Sequence, residues 1–213
     1  MILWPKRYSA NIAVLLSLLA LQHAAAQEAA RLTITDQGWQ EVVVSVTDLD
    51  RTAGFFISIG GYEEKWRGPL QPTELAFWGL DRNATAAALL IGPPGQDTGL
   101  VRLVQFESAG PQEPTRPGAR AWDTGCYFSL LVNMHDMQSV YDEDNDMGWW
   151  TETPITRLVS GDTVQDVAVF RGPDGVQVQG VELPASSPGG ERLSGPFSIL
   201  QTVRDRDEAF RFY

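Results

Sequence analysis

Val46-Thr-Asp48-Leu-Asp50-Arg-Thr-Ala-Gly-Phe55-Phe56 returns near the other end of the chain as Val203-Arg-Asp205-Arg-Asp207-Glu-Ala-Phe-Arg-Phe212-Tyr213. The valine, both aspartates and the closing aromatic pair keep identical offsets. A looser copy, Val132-Asn-Met-His-Asp136-Met137-Gln-Ser-Val140-Tyr141, lies between them. Recurrence on this scale marks a repeated supersecondary unit, and the identity of that unit decides the fold. The first copy follows a β-branched run and leads into apolar residues at helical spacing, with an aspartate where a helix's first N–H groups need an acceptor. It therefore reads as the exit of a strand and the start of a helix.

Working outward, residues 40–46 form the strand, and Leu49, Ala53, Phe56 and Ile57 form the apolar stripe of the helix, which Gly60-Gly61 stops. Three strands are predicted next, over 62–67, 84–91 and 100–106, the last two separated by Pro93-Pro94-Gly95. After a polar Pro/Gly stretch over 110–118, the order repeats. A strand is predicted over 126–132, a helix over 137–147, and strands over 156–158, 164–170 and 176–183, with Gly172-Pro-Asp-Gly175 turning between the final pair. A second Pro/Ser/Gly-rich stretch, 184–196, reads as a linker. Residues 197–203 and the helix opening at Asp205 read as the start of a third unit that Tyr213 interrupts.

Two βαβββ units with these phrases resemble the vicinal-oxygen-chelate superfamily, which includes glyoxalase I, extradiol dioxygenases, fosfomycin-resistance enzymes and bleomycin-binding proteins. The matching elements are Val46-x-Asp48-Leu49-Asp50-Arg51, Phe55-Phe56, Gly60-Gly61 and Gly172-Pro173-Asp174-Gly175, and the match covers about residues 38–183. The resemblance implies an α+β fold in which two units, about 38–109 and 119–183, pair into an incomplete barrel around a small-molecule site. Physically, one helix covers one face of a four-stranded sheet and leaves the other concave, so two units side by side enclose a hollow.

The resemblance also implies where a metal would be held, by one residue from the first strand and one from the last strand of each unit. Those positions here are Glu41 and Arg102 in the first unit and Ser129 and Gln179 in the second. Glu41 and Gln179 are the two that offer oxygen to a divalent ion in the family's manner. Serine is a poor ligand, and an arginine has no lone pair to give a cation. The expectation is a pocket lined by these four residues, with no metal centre and no other cofactor. Glu107 and Glu182 reach the site only if the strand registers slip. Arg102 either holds a substrate carboxylate or pairs with Glu41. Trp66, Trp78, Trp122, Trp149 and Trp150 are candidates for stacking on a flat ligand and equally for packing.

Residues 1–26 have the form of a signal peptide: Lys6 and Arg7, an aliphatic run over 12–21 too short to span a bilayer, then Ala24-Ala25-Ala26. The expected location is the periplasm or the exterior, with no membrane insertion after cleavage. Residues 27–37 are then an N-terminal extension. Removal of the two positive charges takes the net charge from −11 to −13 (−11 − 2). Such a surface repels phosphate backbones, which argues against nucleic-acid partners. Cys126 is the only cysteine, so no intrachain disulfide forms. Nucleotide-binding loops and a serine-hydrolase elbow are absent, and the acidic run over 142–146 lacks the offsets of a calcium loop and reads as a solvated helix face. Two functions follow from the resemblance: an exported protein that binds a small organic molecule without metal, or a metal-dependent lyase, isomerase or extradiol-type dioxygenase. A second glyoxalase-like domain or a homodimer is the expected protein partner.

Overall fold

A computed structural model describes residues 39–81, 83–108, 127–184 and 191–212. The signal peptide, the extension, Cys126, Trp122 and the 110–118 stretch lie outside the described residues. The first unit comprises β1 (Glu41–Ser45), α1 (Leu49–Gly54, continued by a wider π turn, Phe55–Ile59), β2 (Glu63–Pro69), α2 (Pro72–Phe77), β3 (Ala86–Gly92) and β4 (Leu100–Phe106). Its sheet order is β1-β4-β3-β2, with β1 parallel to β4 and the rest antiparallel. The second unit comprises β5 (Tyr127–Met134), α3 (Met137–Glu143), β6 (Trp150–Thr151), β7 (Thr156–Ser160), β8 (Thr163–Arg171) and β9 (Gln177–Glu182). It repeats the pattern: β5 is parallel to β9, β9 pairs β8, and β8 carries both β6 and β7. Both units thus follow the βαβββ pattern, the first with α2 inserted and the second with the two-residue β6 added, and neither sheet closes into a barrel among the described residues.

The repeated phrase has one mechanical role throughout. Asp48 accepts from the Arg51 N–H at 3.0 Å, Asp136 from that of Ser139 at 3.4 Å, and Asp205 from that of Glu208 at 2.9 Å. Each aspartate stands at the first turn of a helix and satisfies a donor that the helix itself cannot. The third of these helices is α4 (Arg206–Phe212), preceded by β10 (Ser198–Gln201).

A shared core joins the units on their helix-bearing faces. Val42 and Val46 of the β1 region, Val101 and Leu103 of β4, Leu130 and Val132 of β5, and Phe170 and Val178 are all buried in one cluster. At its centre Phe55 stacks on Trp149, with centroids 4.2 Å apart and planes 17° apart, while Phe56 meets the same indole edge-on at 5.7 Å. Gly172 lies directly against that indole, and a Cβ there would sit 2.5 Å from the ring, so the glycine of the turn is a packing requirement. The turn also latches the units together. Asp174 accepts from the Thr47 N–H and hydroxyl, both at 2.8 Å.

Two elements depart from the expected outline. α2 fills part of what the βαβββ pattern leaves hollow: Leu75 packs with Ala86, Ala88 and Val104 on the first sheet's second face. Its start is written as Gln71-Pro72-Thr73-Glu74, in which the Gln71 and Glu74 side chains cap each other's backbone. Residues 191–196, within the expected linker, run along the edge of β5 and continue into β10. Ser194 donates to the Asn133 carbonyl at 2.9 Å and Phe197 to that of Leu131 at 3.0 Å, and β10 pairs antiparallel with β5. The same segment holds the first unit: Leu193 donates to Gly60, its side chain is fully buried, and Tyr62 donates to the Ser194 carbonyl at 2.6 Å. One apolar residue among Pro, Ser and Gly is enough to dock the segment, which composition alone conceals. Asp144, expected on a solvated face, is buried. Among the described residues no helix is long and apolar enough to cross a membrane.

Arg192 fastens the segment by donating to both carboxylate oxygens of Glu143, at 2.9 and 3.0 Å. Those bonds hold the Glu143 carboxyl at about 2, well below its ordinary 4.5. A carboxyl with a lowered folded-state pKa stabilises fully above its unfolded value and loses that contribution as pH falls through the folded one. The difference in thermal stability between the wild type and Glu143→Gln is therefore expected to be constant above about pH 5 and to vanish toward pH 2, as measured by calorimetry. Trp149→Ala removes the stacked centre of the core and is expected to cost about 3–5 kcal/mol in urea unfolding. Ile57→Ala, on the exposed side of the π turn, is expected to change stability by under about 0.5–1 kcal/mol.

Candidate functional site

Strand alternation sends every second residue of each sheet away from the shared core. On the first sheet these are Glu41 and Val43 of β1, Arg102 of β4, Leu90 of β3 and Trp66 of β2. Val43 pairs with Arg102, Arg102 with Leu90, and Leu90 with Trp66, so they form one row across the sheet. Glu41 stands one step along β1 from that row. Its carboxylate takes both ends of the Arg102 guanidinium, from Nε at 2.8 Å and from Nη2 at 2.9 Å. The pair is partly buried, and hydrogen bonding to Glu41 raises the guanidinium further above its already high range. Trp66 lies 5.9 Å from the guanidinium carbon and lays its ring over Gly68, where a side chain would displace it.

On the second sheet the outward residues include Ser129 and Leu131 of β5, Gln177 and Gln179 of β9, and Val169 and Arg171 of β8. Leu131 pairs with Gln179, so Ser129 is offset from Gln179 by two residues, as Glu41 is from Arg102. The four positions counted from the repeated phrase are therefore equivalent, pair for pair, in the two units. Glu41 and Arg102 are brought into contact. Ser129 and Gln179 share a face on adjoining strands, and no hydrogen bond or ion pair joins the two couples among the described residues.

A divalent ion needs free oxygen or nitrogen donors converging on one point. Both oxygens of Glu41 are engaged by Arg102, the guanidinium donates only, and Ser129 adds a neutral hydroxyl. The four residues do not fit such an ion. Glu107 accepts from the Thr85 hydroxyl, and Glu182 accepts from the Met137 N–H at the start of α3, so neither replaces a ligand. His135 follows β5, and its N–H donates to the carbonyl of Arg192. Among the described residues no three His, Cys, Asp or Glu side chains cluster as a metal site would require. Of the tryptophans, Trp149 is core, Trp78 packs edge-on against Phe106, and Trp66 and Trp150 remain exposed beside an arginine.

Strand order, the parallel pairing of first and last strands, and the duplicated unit define the vicinal-oxygen-chelate fold. Solved structures with this architecture include a glyoxalase family protein from Bacillus cereus, with TM-score 0.55 and 16% identity over 68% of this chain and 93% of its own. Glyoxalase I from Zea mays also matches, with TM-score 0.55 and 14% identity over 83% of this chain, which spans about half (53%) of the maize protein's length. At such identities the likeness is one of fold. No family model matches the sequence, and no curated protein does.

The Glu41–Arg102 pair is bidentate but partly open to water, so its net worth is about 1 kcal/mol. A double-mutant cycle with Glu41→Gln and Arg102→Met is expected to return a coupling of that size in urea denaturation, with each single variant less stable than the double.

Proposed function

We propose that the chain is an exported protein that binds a small organic molecule on the outward faces of its sheets, without a metal centre. The observation that carries the reading is the Glu41–Arg102 pair: at the two positions where the family's first unit presents metal ligands, this chain has a closed, self-neutralising ion pair. Glu41 takes the Nε and Nη2 edge of the guanidinium and neutralises its charge, which weakens its pull on a substrate carboxylate, and the face it shares with Trp66 favours a flat, uncharged ligand. Export rests on the form of residues 1–26. A further glyoxalase-like unit is supported by β10 and α4, whose Asp205 cap reproduces that of Asp48.

The test has two arms. Purified protein grown with iron, nickel, zinc and manganese is expected to contain no stoichiometric metal by mass spectrometry. A thermal-shift screen of flat neutral compounds is expected to yield ligands whose effect is lost in Trp66→Ala. A stoichiometric divalent ion whose release requires Glu41→Gln would overturn the proposal, as would a screen with no hit.

A further inference from the structure

The second sheet carries a row of its own. Leu200 of β10 pairs with Ser129, the pairing of Leu130 with Val178 sets Ser129 beside Gln177, Gln177 pairs with Arg171, and Arg171 pairs with Trp150. All five project from the face opposite the core. Exposure is high at both ends, 36% for Leu200 and 42% for Trp150, and falls to 4% at Ser129. In the buried centre the Ser129 hydroxyl oxygen and the Gln177 Oε1 have no hydrogen-bond partner among the described residues. Thr52 Oγ1 and the Trp149 indole N–H also lack partners among the described residues, but they lie in the core, whereas Ser129 and Gln177 stand side by side on the outward face, where one ligand would complete both. Neither oxygen serves the shared core, the strand ladder or a helix cap.

From these observations, and resting on the small-molecule reading above, we infer that this row is a binding site for an uncharged, planar, amide-bearing ligand. Gln177 Oε1 can only accept, so the ligand must bring a donor. The Ser129 hydroxyl can donate, so an acceptor beside that donor is satisfied too. A primary amide carries the two side by side, whereas a carboxylate would set oxygen against oxygen at Gln177. Charge points the same way. Arg171 already has Glu152 at 3.7 Å, and Glu152 also accepts from the Trp150 indole N–H at 3.3 Å, so this end of the row is neutral as it stands. The Arg171 guanidinium lies over the Trp150 ring, 5.5 Å from its centre, and the stacked pair offers a polarisable surface for the ligand's ring system to pack against. At about 4.8 Å per strand, the two steps from Gln177 to Trp150 span about 10 Å, close to the overall length of a two-ring amide.

Calorimetric titration of the full chain with 2-naphthamide, 2-naphthoate and naphthalene tests the assignment. The amide is expected to bind best, and Ser129→Ala and Gln177→Leu are each expected to weaken it about tenfold. Unliganded Ser129→Ala should melt no lower than the wild type, because the lost hydroxyl has no protein partner. Equal binding by wild type and both variants overturns the inference, as does binding of none of the three probes. A preference for the naphthoate also overturns it, since Gln177 would then be presenting its NH2. A hit from the broader screen that depends on Trp66 and ignores both variants leaves the preceding proposal standing and removes only this one. Amide binding here by a protein that also carries stoichiometric metal does the reverse.

Discussion

The stack of Phe55 on Trp149 is the contact on which the rest of the molecule depends. It joins a residue of the first unit's helical turn to one beside the second unit's short strand, so neither unit can complete its core alone. Gly172 must lack a side chain because the indole occupies that space. That glycine in turn begins the turn whose Asp174 grips Thr47 at the exit of β1. The stack also orients the neighbouring strand. With Trp149 directed inward, Trp150 must point outward, and β8 then brings Arg171 beneath it.

Much of this was legible from residue patterns. The β-branched run before Asp48, the glycines after Ile59 and the Gly172–Gly175 turn each express a local backbone need, and local needs are what a single sequence displays well. β1, β4 and the onset of both main helices accordingly fall where expected. α2 was missed because its six residues are too few for a period, although Pro72 at the first helical position and Glu74 three residues after Gln71 announce it. β6 has two residues and no pattern at all. The docking of residues 191–196 depends on Leu193 finding a place against Gly60, which is a property of the assembled fold. Of the site, counting back from the repeated phrase located Glu41, Arg102, Ser129 and Gln179 on their outward faces. That Arg102 closes on Glu41 was one of two alternatives. The Ser129–Gln177–Arg171 row was not seen, because it exists only once β5, β9 and β8 are in register.

Electrostatics divides the molecule into two regimes. The chain is strongly acidic, yet the outward faces of its sheets carry arginine and glutamate in matched couples, each beside a tryptophan. Matched couples keep their guanidinium stems and indole rings as apolar, polarisable surface while cancelling the field a charged ligand would need. The surrounding negative charge further disfavours anions. On the proposed reading, selection on such faces would work by shape and hydrogen-bond polarity, which is slower in encounter than electrostatic steering but insensitive to salt.

The docked segment has a consequence for how the chain acquires its structure. Tyr62 reaches Ser194 across 132 positions and Thr47 reaches Asp174 across 127. Contacts so distant along the chain must wait for loop closure, and they slow folding accordingly. Here they also mean that the first unit's core is sealed by residues that lie 132 positions further along the chain. Until Leu193 is in place the surface around Gly60 stays uncovered, so the first unit closes only when the 191–196 segment arrives.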